Sequence, residues 1–345
     1  MHIYIHIPFC SSKCPYCAFG SSTDSFNLVE RYFEALLFEI KNSTLNKIST
    51  IFIGGGTPSV ISAKFYEKIF DEFRDFLDIK TEITTEANPN SATLKWLKDM
   101  KNLGVNRVSF GTQSFNDEKL KFLGRNHSSI HTKKAVLNAK KVGFKNINVD
   151  IIYDTKFDDK KMIEFELLNL AKLDLTHISA YSLTLEENTP FYNKSSFKKD
   201  SVNLAKFLFL GLENLGFKQY EISNFGQICK HNLAYWQGKN YLGFGAYAVG
   251  FKDDKRFYSP KDIKSYIKNP TFKNIENLTK SDLKFEKIFL GMRSKIGVEA
   301  KILNELELKR AKILVEEKKL SYKNERFYNQ DYLLSDEIVL FLVEI

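Results

Sequence analysis

Cysteine is scarce in this chain. Four occur in 345 residues, and three of them, Cys10, Cys14 and Cys17, fall within one eight-residue stretch. Secreted disulfide scaffolds spread paired cysteines along the chain, so this tight, odd-numbered group excludes that class and points to a metal in a reducing compartment. Long apolar runs are also missing, and none approaches the length of a bilayer span. Met1 to Cys10 carry no basic region and reach a proline and a cysteine before any signal-peptide core. A cytoplasmic protein is expected. Internal repeats, low-complexity tracts and nucleic-acid motifs with basic patches among aromatics are absent too. The net charge of +9 is therefore read as a solvated, lysine-rich surface, with no nucleic-acid partner.

What is present is an ordinary globular balance, 43% hydrophobic and 27% charged, long enough for one large domain or a large and a small one. Short β-rich runs alternate with stretches of helical period. The runs are His2–Pro8, Thr50–Ile53, Glu82–Glu86, Arg107–Gly111, Asn146–Tyr153 and His177–Leu183. Amphipathic segments, Val29–Lys41, Ala63–Leu77, Ser91–Leu103, His131–Val142 and Asp159–Leu173, separate them. Six β–α units predict an α/β fold with a parallel sheet, closed or open as a barrel, and functional groups at the strand carboxyl ends. The runs do end on unusual residues: the cysteines, Gly54–Pro58, Glu86–Pro89, Gly111–Ser114 and Asp150. Beyond Gly216 a loop-rich, aromatic stretch precedes a small charged segment from about Lys280. The expected division is 1–215, 216–279 and 280–345.

Cys10-Ser-Ser-Lys-Cys14-Pro-Tyr-Cys17 sets three thiolates in one loop directly after a strand. Thiolates are the usual ligands of iron–sulfur clusters. Three ligands for four irons leave one iron open to the amino and carboxylate groups of S-adenosylmethionine. An electron passed to the sulfonium then breaks a carbon–sulfur bond and forms a 5′-deoxyadenosyl radical. The competing reading is zinc with His6 or Cys229 as fourth ligand, although no second knuckle accompanies the first. Cys229 alone reads as a half-buried thiol.

The C-x3-C-x2-C string resembles that of the radical S-adenosylmethionine superfamily. Tyr4-Ile-His6-Ile-Pro8-Phe9-Cys10 is similar to the branch holding oxygen-independent coproporphyrinogen III oxidase (HemN) and the haem chaperone HemW. The resemblance runs from Tyr4 to about Val249 and resumes near Leu290. It implies a partial (β/α)6 barrel with a small C-terminal α+β subdomain, a [4Fe-4S] cluster on Cys10, Cys14 and Cys17, and bound S-adenosylmethionine. By position, Gly55, Gly56 and Thr57 match the methionine-binding motif, and Glu86 matches the residue gripping the ribose hydroxyls. Gln113, Arg125 and Asp150 match further cofactor positions, Arg125 being able to hold a carboxylate with two parallel bonds. Tyr4 and Tyr16 match aromatics flanking the cluster. Two departures stand out. Tyr153-Asp154-Thr155-Lys156 replaces the usual Gly-Leu-Pro sequel to the Asp150 strand, which implies a loop of different shape, and Ala18 stands where an acidic residue is common.

Within that branch two functions compete. The oxidase turns two propionates of coproporphyrinogen III into vinyl groups; the chaperone binds haem and passes it to client haemoproteins such as membrane-bound respiratory enzymes. The oxidase carries a further cysteine two residues after the third, where this chain has Phe19, and a long segment ahead of its first strand. His231-Asn232-Leu-Ala-Tyr235-Trp236 resembles the chaperone's H-N-x-x-Y-W motif, with His231 as the expected haem ligand. The chaperone reading implies location in the cytoplasm or at the periphery of the inner membrane. It also implies an electron donor such as flavodoxin or ferredoxin where S-adenosylmethionine is cleaved.

Overall fold

The computed structural model describes residues 1–343. Six strands carry the architecture: β1 (His2–Ile7), β2 (Thr50–Gly55), β3 (Glu82–Ala87), β4 (Arg107–Gln113), β5 (Asn146–Tyr153) and β6 (His177–Ser182). Each pairs with the next in parallel. Their helices are α1 (Val29–Lys41), α2 (Lys64–Phe73), α3 (Leu94–Asn102), α4 (Asp117–Phe122), α5 (Ser129–Lys141) and α6 (Lys160–Leu170). The expected runs thus become strands and helices. The six-residue α4 escaped the sequence reading because it spans under two turns; Asn116 and two first-turn acids start it.

Alternation within the strands decides which way each faces. Ile3, Ile5, Ile51, Ile53, Val108, Ile147, Val149 and Ile178 join one core with Leu36 and Ile40 of α1. The intervening residues, among them Thr50, Glu82, Thr84, Arg107, Ser109, Asn148, His177 and Ser179, are polar and equally buried. The sheet is therefore covered on both faces, one oily and one hydrogen-bonding.

The stretch Tyr220–Gly250 is expected to be loop-rich, yet the segment 216–279 that holds it extends this sheet. After α7 (Val202–Asn214), β7 (Asn224–Gly226) pairs antiparallel with β6. α8 (Lys230–Trp236) follows, and β8 (Tyr241–Phe244) pairs parallel with β1. β9 (Val249–Lys252), β10 (Lys255–Tyr258), α9 (Ile263–Lys268) and β11 (Asn274–Asn277) complete an open eleven-stranded sheet, ordered β11-β10-β9-β8-β1-β2-β3-β4-β5-β6-β7. Strands of three or four residues are too short to register as a period in sequence. Further along, α10 (Lys280–Met292), β12 (Val298–Glu299), α11 (Glu305–Glu316), β13 (Leu320–Lys323), β14 (Arg326–Asn329) and α12 (Ser335–Val343) surround a second core with its own three-stranded sheet. Among the described residues no helix is long and apolar enough to cross a membrane.

A buried ionic joint ties the extension to the first helix. Glu39 of α1, 4% exposed, pairs with Lys273 at 2.5 Å and accepts from Tyr266 Oη at 2.6 Å and Gly245 N at 2.9 Å. Removing one partner strands the other charge, so Glu39→Ala should destabilise the chain by about 3–5 kcal/mol in urea unfolding. A loss below ~1 kcal/mol would show that the joint is dispensable.

Candidate functional site

The cysteine loop hangs from the end of β1. Ser22 N bonds to Pro8 O and Cys10 N to Ser22 O, closing the loop at its base, while Cys17 N turns back to Cys14 O. Gly56 N and Thr57 N bond to Ile7 O and Phe9 O, so the turn after β2 is stitched alongside. Gly55 sits at φ +106, and a Cβ there would lie 2.5 Å from the His6 ring; no other residue type fits. Opposite, Gly124 (φ +66) lets the loop before Arg125 press on Pro15, where a Cβ would meet the ring at 2.4 Å.

These elements enclose a cavity of about 360 Å³ at the strand carboxyl ends. Cys10, Cys14, Cys17, Tyr16, Gly55, Gly56, Thr57, Glu86, Gln113, Arg125 and Asp150 all line it, brought together from five β–α units. Two expected residues do not. Tyr4 lies behind the wall, its hydroxyl 3.0 Å from His6 Nδ1 and its ring stacked on Phe52, which does line the cavity. His231 lies at the opposite end of the strands, 1% exposed. Its Nδ1 meets Thr50 Oγ1 at 2.7 Å and its Nε2 meets Tyr235 Oη at 2.9 Å. Burial pushes its pKa down to about 3, so the ring is neutral and both nitrogens are engaged. In this arrangement the ring ties α8 to the start of β2, with both nitrogens engaged by Thr50 and Tyr235.

Electrostatics shape the cavity interior. Glu86 accepts from Gly55 N at 3.2 Å. Burial, then the neighbouring Asp150, push its carboxyl up to about 8. Asp150 is raised by burial as well, against donors from Asn148 Nδ2 at 2.7 Å and Ser109 Oγ at 3.3 Å. Arg125 is tied into the cavity wall. Nη2 donates to Gly111 O at 2.8 Å and to Asn88 Oδ1, and Nη1 to Cys14 Sγ at 3.5 Å. Gln113 holds φ +66 where the β4–β5 register shifts, the kind of backbone strain that gathers at binding sites. Sequence reading missed Asn88, Arg107, Ser109, Asn148, Ser179 and Asn232 in the lining. The signal was available for the strand residues: polar side chains at alternate positions of otherwise apolar strands.

The departure after β5 now has a physical form. Asp154 takes φ +68, the left-handed conformation glycine adopts freely and aspartate tolerates. Its carboxylate accepts from Ser201 N and Ser182 Oγ, each at 3.0 Å. Thr155 N and Oγ1 bond to Asp158 at 2.7 Å, and Asp158 pairs with the buried Lys119 at 2.6 Å.

The sequence profile of the radical SAM superfamily matches residues 4–166. The heme chaperone HemW of Lactococcus lactis is 36% identical over 310 residues, 86% of this chain and 82% of its own. That of Bacillus subtilis is 34% identical over 320 residues, 86% of this chain and 84% of its own. The chain belongs to the HemW family of the radical SAM superfamily. The HemW of Escherichia coli is 36% identical over 263 residues, 72% of this chain and 70% of its own. The coproporphyrinogen III oxidase HemN of Escherichia coli shares the fold, with a TM-score of 0.82 at 19% identity over 99% of this chain and 90% of that one.

Superfamily membership implies a [4Fe-4S] cluster and S-adenosylmethionine. The donor set fits in kind: three free cysteines rim one cavity, with Arg125 beside Cys14 and Thr57 Oγ1 3.4 Å from Cys10 Sγ. Among the described residues no three or more His, Cys, Asp or Glu side chains gather as a metal site. The fourth ligands of the zinc alternative are engaged elsewhere. His6 Nε2 bonds to Gly20 O at 2.7 Å, and Cys229 Sγ lies 3.4 Å from Glu82 Oε1 at the start of β3.

If Asp154 serves as a left-handed joint, Asp154→Gly should cost about 1 kcal/mol for its lost hydrogen bonds. Asp154→Val should cost about 2 kcal/mol more in the same denaturant melt. Equal losses for both variants would remove backbone conformation as the reason for the residue.

Proposed function

We propose that this chain binds a [4Fe-4S] cluster at Cys10, Cys14 and Cys17, holds S-adenosylmethionine in the adjoining cavity, and carries haem to client haemoproteins. The observation that supports it most is the convergence of the three cysteines, Gly55 to Thr57 and Glu86 on one cavity, in a chain aligned with heme chaperones over most of its length. When bound, the cluster supplies one-electron chemistry to S-adenosylmethionine. The chain's own residues do the positioning. Gly55 and Gly56 allow backbone approach, Glu86 accepts from ribose hydroxyls, and Arg125 clamps the cysteine loop by joining Cys14 to Gly111 and Asn88. Phe19, where the oxidase has a further cysteine, is 70% exposed at the cavity rim, which favours the chaperone reading.

Anaerobic reconstitution should load about four irons and four sulfides per chain. Conversion of Cys10, Cys14 and Cys17 together to alanine should abolish the cluster's electron paramagnetic resonance signal. A triple variant with full iron and sulfide content would sink the ligand assignment.

The reconstituted chain should bind haem and form no protoporphyrinogen from coproporphyrinogen III under anaerobic assay. Its His231→Ala variant should keep the wild-type Soret band and instead lose about 1–3 kcal/mol of stability, because Thr50 and Tyr235 lose their buried partner. Turnover of coproporphyrinogen III would restore the oxidase, and a shifted Soret band in His231→Ala would return that ring to the haem site.

A further inference from the structure

Arg107 opens β4 and is 4% exposed, yet its guanidinium has no hydrogen-bond acceptor and no carboxylate at ion-pair distance among the described residues. The acids that act on it through space are held by other donors. Glu82 accepts from Cys229 Sγ, Lys230 N and His231 N; Asp150 accepts from Asn148 and Ser109. Arg107 instead lines the cavity. A buried guanidinium has five donors, and leaving them unmatched costs several kcal/mol. Packing alone would be better served by an apolar residue.

Register fixes its depth. Glu86 pairs with Ser109 and Thr84 with Arg107, so Arg107 lies two residues, about 7 Å, further from the cysteine loop than the ribose-level Glu86. A cofactor whose amino-acid end faces the cysteine loop does not put that carboxylate here. We propose that the cavity floor is a carboxylate subsite in which Arg107 receives, with two parallel bonds, a carboxylate of a second bound molecule. This deepens the haem reading above and rests on it for the ligand class. A tetrapyrrole propionate fits best, since Phe52, Ile152 and Leu183 supply an apolar wall of the same cavity. A second S-adenosylmethionine presents the same chemistry.

The test compares full-length wild type, Arg107→Gln and Arg107→Lys. Sodium propionate, against sodium chloride of equal ionic strength, is the small probe, read as a concentration-dependent rise in Tm. Haem and haem dimethyl ester are the large probes, read by absorbance titration. Propionate should stabilise wild type, stabilise Arg107→Lys less, and leave Arg107→Gln unmoved. Arg107→Gln should weaken haem about tenfold or more while binding the diester as wild type does. If Arg107→Gln fails to fold, Arg107→Lys, which keeps the charge but loses the paired fork, carries the same comparison. If haem binds none of the three but propionate still separates them, the subsite stands and the haem reading falls. Two S-adenosylmethionine per wild-type chain against one in the variant then name the second cofactor as the source. Equal responses of wild type and variant to propionate and to haem overturn the subsite.

Discussion

The structure depends on one constraint: the inner face of a six-stranded parallel sheet is polar and shut away from bulk water. Every ionisable group placed there must be paired, neutral or reserved for a ligand. His177 is neutral between Asn148 and Tyr220, and His231 is neutral between Thr50 and Tyr235. Glu82 is matched by the amides that open α8. Glu86 and Asp150 escape that matching only in part, and burial raises both. Arg107 escapes it altogether. Glu86, Asp150 and Arg107 all border one cavity, so the ionisable groups of this face that are least matched by the protein itself lie together.

The cysteine loop inherits its position from that sheet through close backbone approaches. Gly56 and Thr57 stitch it to β2, Gly124 lets the Arg125 segment lie on Pro15, and Gly20 admits the Tyr247 ring. Tyr247 belongs to the segment fastened to α1 by Glu39, Lys273 and Tyr266. Residues 216–279 therefore buttress the loop mechanically from the far edge of β1.

Much of this was legible in the sequence. Strand starts at Thr50, Glu82, Arg107, Asn146 and His177 follow from apolar alternation, and the cysteines, Gly55 and Glu86 follow from motif and strand-end position. The C-terminal extension was not legible, because strands as short as Asn224–Gly226 leave no period. The partners of His231 were illegible for a different reason: Thr50 lies 181 positions away in the chain, and no local pattern reveals that contact. Asp154 showed as a departure, but its left-handed backbone became visible only in three dimensions.

If Glu86 receives the ribose hydroxyls, as proposed, it waits in neutral form for a ligand that favours its charge. Its folded value of about 8 lies far above the usual carboxylate range. The folded chain therefore holds a proton at neutral pH that the unfolded chain has released, and folding stability falls as pH rises from about 4.5 through about 8. In the proposed site ribose hydroxyls would donate to the ionised carboxylate, so S-adenosylmethionine should expel that proton. Calorimetry of binding to the cluster-loaded chain near pH 7, in buffers of different ionisation enthalpy, measures it directly. Binding should release close to one proton per ligand, an effect that vanishes above about pH 9 and in Glu86→Gln. A binding enthalpy independent of buffer, or an undiminished release in Glu86→Gln, would contradict it.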